Sequence, residues 1–236
     1  MPPLRWTPVS PLLSRGNSDL RRDGIWTWTL PAWVTKLPDG RTINTCPSAG
    51  ECAPRCYARK GTYNFSNVKG KHIDNLRRVL DDLPQWTHDM TDELGRIKKP
   101  DAHIRIHDSG DFFTREYLNA WLTIIPKYPA LTFYCYTKEI ALFRSVVEPL
   151  TLPNFHYVYS YGGRQDNAIT DTDRRCDVFP NEETLTTAGY HDQADSDLLA
   201  IYGPPAVGIV VNNHRGASAA MQGKSLRQLQ AERHIR

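Results

Sequence analysis

The chain has 236 residues, and its 40% hydrophobic and 23% charged content is typical of a globular protein and excludes a disordered or fibrous one. The net charge of +3, from 29 basic and 26 acidic residues, is too small to indicate a nucleic-acid-binding protein by itself. No apolar run approaches the roughly 18 residues of a membrane span, and the proline-rich start MPPLRWTPVSPLL is unlike a signal peptide. We therefore expect a soluble, cytoplasmic protein that does not bind membranes.

The first 45 residues are predicted to form an extended lead-in followed by a β-hairpin. Residues 1–24 show no hydrophobic period. Residues 25–30 alternate as in a strand, and Pro38-Asp39-Gly40 is a turn before a second short strand at 42–45. We expect these two strands to pair and to lead the chain directly into Cys46.

Helices and strands alternate through the rest of the chain. The hydrophobic pattern predicts helices at 68–80, 84–97, 114–125 and 140–147, and strands at 102–106, 131–136, 155–159 and 206–211. Strands separated by helical stretches of about 10–15 residues are typical of βαβ units and a parallel sheet. The prediction is one α/β domain over residues 25–222, with a basic helix or tail at 223–236.

Polar residues follow three of the predicted strands. They form the segments His107-Asp108-Ser109-Gly110-Asp111, Thr137-Lys138-Glu139 and Ser160-Tyr161-Gly162-Gly163. Because functional groups gather at the carboxyl ends of parallel strands, the candidate catalytic residues are His107, Asp108, Asp111 and Lys138. Asp108 or Asp111 would transfer a proton or orient a ligand, and Lys138 would meet an anionic group. The glycines would form a backbone cradle for a polar or anionic group, although turn and cap residues explain the same segments.

Five cysteines, an odd number, fit a reducing compartment and a metal site better than a disulfide framework. Cys46, Cys52 and Cys56 lie close together, in a segment that also carries prolines, a glycine and basic residues. Structural zinc usually takes two close pairs of ligands, whereas three cysteines in one loop favour an iron–sulfur cluster. Zinc and three unligated thiols remain the alternatives.

A fourth cluster ligand is expected at Cys176. Cys135 lies within an aromatic strand, where a free thiol behaves as a small hydrophobic residue. Cys176 lies in the charged segment 173–177, interpreted as a polar loop on the side of the sheet where the cluster would lie. The predicted cofactor is a 4Fe-4S cluster with the metal ligands Cys46, Cys52, Cys56 and Cys176.

The segments 45–63, 105–121, 133–139 and 159–163 together resemble the gene-product-eighty-eight family of actinobacterial phages. The chain is also distantly similar to radical SAM enzymes, which place three cysteines in a loop after the first strand of a partial (β/α) barrel. The cysteine spacing CxxxxxCxxxC departs from the CxxxCxxC of those enzymes, and HDSGD replaces their glycine-rich segment. The resemblance implies a partial (β/α) barrel-like parallel sheet, with an N-terminal β-hairpin, in a phage-encoded protein of the host cytoplasm.

Three functions follow from this interpretation. The first is an iron–sulfur protein whose cluster, closed by four cysteines, has a redox, structural or partner-binding role, with a host or phage protein as partner. The second is a radical SAM-type enzyme with an open cluster iron. The third is a zinc-stabilised nucleic-acid-binding protein that uses its basic termini and stacking tryptophans. The residues concerned in the third are Arg15, Arg21, Arg22, Lys224, Arg227, Arg233, Arg236, Trp6, Trp26 and Trp28.

Overall fold

A parallel sheet organises the chain. The computed structural model describes residues 11–99, 101–211 and 217–235. Its strands are β1 (Ile25–Trp28), β2 (Val34–Lys36), β3 (Thr42–Asn44), β4 (His103–Ile106), β5 (Thr132–Thr137), β6 (Phe155–Ser160), β7 (Arg175–Phe179), β8 (His191–Asp192) and β9 (Ala206–Val210). Seven of them pair in parallel in the order β1-β4-β5-β6-β7-β9-β8. The sheet order therefore follows the chain order almost throughout, as in a partial (β/α) barrel, and the predicted fold class is confirmed.

The antiparallel hairpin is formed by β2 and β3. Val34 pairs with Asn44, and Lys36 pairs with Thr42. The prediction that residues 25–30 form one arm of this hairpin is wrong, because β1 lies beside β4 in the parallel sheet. Ile25 and Trp28 are fully buried, and a strand with such residues requires cover on both faces, which an exposed hairpin does not offer.

The predicted helices correspond to four that pack against the sheet. The described α-helices are α1 (Ser18–Arg22), α2 (Cys52–Arg55), α3 (Ser66–Asp81), α4 (Leu83–Gly95), α5 (Arg115–Ile124), α6 (Ile140–Val146), α7 (Glu182–Thr187), α8 (Leu199–Tyr202), α9 (Ala217–Ala220) and α10 (Leu226–Ile235). Side-chain caps begin two of the predicted ones: Asp82 accepts from the backbone of α4, and Thr114 from that of α5. None of the described helices is both long and apolar enough to cross a membrane.

The two faces of the sheet are buried in different ways. One face carries the larger core, where the rings of Trp28, Trp86 and Trp121 lie with centroids 5.3–6.4 Å apart. The other face is covered by α8, against which Tyr134 and Val158 pack. Because side chains alternate along a strand, polar residues at every second position lie on this second face together with Tyr134 and Val158.

The segment that contains Cys176 is a strand and not the predicted polar loop. It forms β7, which lies between β6 and β9, and the Cys176 side chain is buried against the second face. Its charged neighbours conceal the strand pattern, since each finds a partner in the fold. The guanidinium of Arg174 donates to the carbonyls of Ala200 and Gly203, at 3.0 and 2.9 Å.

The tryptophan cluster gives the first prediction. Trp121→Ala should lower the free energy of unfolding by about 3–5 kcal/mol, because the side chain is fully buried and its removal leaves a cavity. Leu150→Ala, at a side chain that is 49% exposed, is the control and should change it by less than about 0.5 kcal/mol. Urea unfolding followed by tryptophan fluorescence and circular dichroism measures both. Equal destabilisation of the two variants would contradict the assignment of this cluster as the core.

Candidate functional site at the carboxyl edge of the sheet

The cysteine segment is held against the turn that follows β6. The backbone N–H groups of Gly50 and Cys52 both donate to the carbonyl of Gly162, at 3.1 and 3.0 Å. Gly162 has a φ of +89°, and a Cβ there would lie 3.0 Å from Leu226 and 3.4 Å from the Cys52 side chain. Glycine is therefore required at this position, both by the backbone conformation and by the close approach of the cysteine loop.

Glu139 fixes the start of the same loop. Its two carboxylate oxygens accept from the backbone N–H and the hydroxyl of Ser48, each at 2.8 Å. Gln165 donates to that hydroxyl at 2.7 Å. Burial, and the nearby carboxylate of Asp111, raise the pKa of Glu139 to about 7. Glu139 thus positions the loop, a role that its place at a predicted helix start did not reveal.

Asp111 joins the end of β4 to the end of β5. Its carboxylate accepts from the Thr137 hydroxyl at 2.7 Å, from the Lys138 backbone at 2.9 Å and from the Phe112 backbone at 2.8 Å. Its own N–H donates to the carbonyl of Thr45, the residue before the first cysteine. Burial raises the pKa of this carboxyl, and the three hydrogen bonds counteract that effect. These contacts make Asp111 a positioning residue.

His107 lies outside the site. Its φ of +67° turns the side chain into the larger core, where Nε2 lies 2.8 Å from the hydroxyl of Tyr117 and the ring contacts Phe112. Burial lowers the pKa of His107 to about 3, so the imidazole is neutral. This histidine is therefore a residue of the core, and it is uncharged at neutral pH.

Asp108 is engaged by two tyrosines of the segment that follows the cysteines. The hydroxyl of Tyr63 donates to the Asp108 carboxylate at 2.5 Å, and the hydroxyl of Tyr57 donates to its carbonyl. Arg105 lies 3.7 Å from the same carboxylate. Asp108 therefore holds residues 57–63 over the edge of the sheet.

Lys138 lies on the second face at the end of β5. Its ammonium donates to the carbonyl and the hydroxyl of Ser160, at 3.1 and 2.6 Å. Burial alone would lower the pKa of Lys138, but the negative charges that Cys52, Asp166 and Asp111 carry when ionised together raise it. The side chain is thus a fixed positive charge beside the cysteine loop.

The glycine turn after β6 is not free to cradle a ligand. The N–H groups of Gly162 and Gly163 both donate to the carboxylate of Asp166, at 2.8 Å each. The cradle that the sequence suggests therefore exists, but the protein fills it with its own carboxylate.

The cysteines do not form a metal centre. Lys138 faces Cys52, Cys56 and Cys176 closely enough to lower the pKa of each thiol. Burial outweighs this effect and raises the pKa of all three thiols. The sulfur of Cys46 accepts instead from the backbone of Trp33, at 3.4 Å.

The predicted iron–sulfur protein is therefore wrong. Within residues 11–99, 101–211 and 217–235, no group of three or more histidine, cysteine, aspartate or glutamate side chains is arranged to hold a metal ion. This finding also removes the zinc-stabilised alternative and the open-cluster enzyme. The cysteine spacing predicted that the thiols lie near one another, but it did not predict that a lysine lies beside them. Cys135 is buried in the larger core, as its aromatic surroundings suggested.

A second polar group on the same face was not found from the sequence. Arg105 of β4 lies 3.1 Å from Asp197, which also accepts from the hydroxyls of Tyr134 and Tyr136. The Nε of Arg105 is buried and has no hydrogen-bond partner. Arg105 alternates with apolar residues along its strand, and this was the signal that could have indicated a buried cation.

The tryptophans proposed for nucleic-acid stacking are not all available. Trp28 is fully buried, and Trp26 is covered by the guanidinium of Arg15, 4.4 Å from its ring centroid. Trp6 and Arg236 lie outside the described residues.

Comparison with known proteins identifies a phage family. The family profile described as Gene product 88 matches residues 11–233. The chain belongs to this family. It is 31% identical over 111 residues to the Gene 88 protein of Mycobacterium phage L5, and 30% identical over 111 residues to that of Mycobacterium phage D29.

These alignments cover 43% of this chain and 46% and 45% of the two relatives, so the chain matches less than half the length of each. No solved structure matches the chain. The comparisons do not show a similarity to radical SAM enzymes, whereas they confirm the resemblance to the phage family.

The contacts of Asp111 predict a structural effect of its removal. Asp111→Ala should lower the free energy of unfolding by about 2–3 kcal/mol, because the substitution leaves buried donors without an acceptor. Asp74→Ala, on the exposed side of α3, is the matched control and should change it little. Chemical denaturation measures both, and an Asp111→Ala variant as stable as the control would mean that these bonds do not hold the loops.

The raised pKa of Glu139 predicts a pH-dependent difference between two proteins. The folded protein binds the Glu139 proton more tightly than the unfolded chain, so the stability from proton uptake is complete below pH 4.5 and lost as the pH rises through about 7. Glu139→Gln cannot ionise. Its melting temperature relative to the wild type should therefore rise between pH 5 and pH 8.5.

Thermal melts of the two proteins at a series of pH values test this. The histidines with lowered pKa values, and Asp177, titrate in both proteins, so the difference in melting temperature reports the change at position 139. A difference in melting temperature that does not change with pH would show that Glu139 has an ordinary pKa.

Proposed function

We propose that the protein binds a small anionic ligand at the carboxyl edge of its sheet, with Lys138 as the residue that receives the negative charge. The observation that carries this proposal is the state of the Lys138 ammonium. It is held by Ser160, and among the described residues no carboxylate oxygen lies within 4.0 Å of it. A half-buried positive charge without a close counter-ion gains most from an anion supplied by a ligand.

The surroundings of Lys138 support the same function. An ammonium has three donors, and the two contacts to Ser160 leave one of them for a ligand. Arg105, on the same face, offers an unpartnered Nε. Ligands of parallel α/β proteins bind at the carboxyl ends of the strands, which is where these groups lie.

The geometry favours binding over proton transfer by the residues first considered. Asp111 and Glu139 are occupied by the hydrogen bonds that fix the loops, and His107 lies in the core. The raised pKa of Lys138 makes it a lasting charge and a poor general base. The predicted resemblance to radical SAM enzymes is not needed for this proposal.

Ligand binding should be weakened by removing the charge at position 138. The probes are inorganic phosphate, pyrophosphate, succinate and citrate, each titrated into the full chain by isothermal calorimetry. Wild-type protein should bind at least one of them, and Lys138→Met should weaken that binding by about 10- to 100-fold, the loss of one charge-assisted hydrogen bond of about 1.5–3 kcal/mol. Lys138→Arg should retain part of the affinity.

Lys127→Met is the control, since Lys127 is exposed at the opposite edge of the sheet and its loss should leave binding unchanged. The proposal is refuted if no probe binds the wild type, or if Lys138→Met and Lys127→Met bind the probe equally well.

A further inference from the structure

We infer that the segment after the cysteines forms a docking face for single-stranded nucleic acid, separate from the anion site at Lys138. The basic aromatic face is defined here by Arg59, Lys60, Phe65 and Lys69. It occupies the exposed outer side of residues 59–69, between the cysteine loop and the first turn of α3.

The charge of this part of the chain is strongly one-sided. Residues 52–73 contain five basic and no acidic residues, although the whole chain carries 29 basic and 26 acidic ones. Arg59, Lys60 and Lys69 are exposed, and among the described residues no ion pair joins any of them to a carboxylate. A run of exposed, unneutralised cations is the feature that attracts a phosphate backbone.

Aromatic side chains are exposed among these cations. Phe65 is 59% exposed, and Tyr57 is 45% exposed although its hydroxyl is bound to the Asp108 carbonyl. Burying an exposed phenylalanine ring is favourable, so a ligand that covers Phe65 gains binding free energy from the ring as well as from the neighbouring charges. Unpaired bases stack on such rings, whereas the bases of a duplex are already stacked on one another.

The positions of these groups suit an extended strand. The Lys69 N–H donates to the carbonyl of Phe65 at 2.8 Å, so Lys69 lies in the first turn of α3, one helical turn beyond the residue that caps this helix. The guanidinium of Arg59 stacks on Trp33, 4.7 Å from its ring centroid, which holds one cation in place. A single strand would thus have a phosphate-binding group on either side of a stacking ring.

Fluorescence anisotropy with labelled 12-nucleotide probes tests the inference. We expect oligo-dT and oligo-rU to bind the full chain more tightly than a 12-base-pair duplex. Phe65→Ala should weaken single-strand binding at least about fivefold, as expected for the removal of one base–aromatic stack. Replacing both Lys60 and Lys69 by Gln should reduce the slope of log K against log salt by about 1.4, or about 0.7 for each phosphate that is no longer neutralised.

Matched variants exclude general effects. Leu150→Ala removes an exposed apolar side chain elsewhere, and the Lys98→Gln, Lys127→Gln pair removes two exposed charges at the other edge of the sheet, so neither should alter binding. Lys138→Met should also leave it unchanged, which separates this face from the anion site. A preference between the DNA and RNA probes would identify the kind of strand. Absence of binding, equal binding of duplex, or an unaffected Phe65→Ala variant would overturn the inference.

Discussion

The carboxylate of Asp111 is the interaction on which the carboxyl edge of the sheet depends. Its oxygens take hydrogen bonds from the end of β5, and its backbone N–H reaches the residue before the first cysteine. Three segments distant in sequence are therefore held together by one buried residue. Glu139 holds the cysteine loop in the same way, because its carboxylate accepts hydrogen bonds from the backbone and the hydroxyl of Ser48. Burying a carboxylate costs free energy unless its oxygens accept hydrogen bonds, and here donors of the protein itself supply those bonds.

Helices and strands with a strong hydrophobic periodicity were predictable from the sequence, and those whose periodicity is interrupted by charged residues were not. The helices at 66–81, 83–95 and 115–124 follow from apolar stripes and from the caps Asp82 and Thr114. β7 was not predicted, because charged residues surround Cys176 in the sequence. Only the folded chain shows that each of these charged residues has a partner. β1 was assigned the wrong neighbour, since periodicity identifies a strand but not the strand with which it pairs.

The location of the candidate site was predicted from the sequence, but its chemistry was not. The carboxyl ends of the strands do gather Asp108, Asp111 and Lys138, as parallel topology requires. The cysteine spacing suggested a metal, yet the described residues hold no group arranged to bind one, and the charge that affects the pKa of the thiols is the Lys138 ammonium at the end of β5. Membership of the phage family assigns no ligand. The predicted host or phage protein partner stays a prediction.

The central claim is that Lys138 is a protonated group that receives an anion. Nuclear magnetic resonance of protein labelled with ¹⁵N-lysine, with Lys138→Arg used to assign the signal, tests it most directly. The account predicts that Lys138 is still more than half protonated at pH 10.5, the ordinary pKa of a lysine, because its own pKa is raised. It also predicts that pyrophosphate or citrate shifts the Lys138 signal and not that of Lys127. A Lys138 signal that is mostly deprotonated at pH 10.5 and does not change when any of the anions is added would contradict the account.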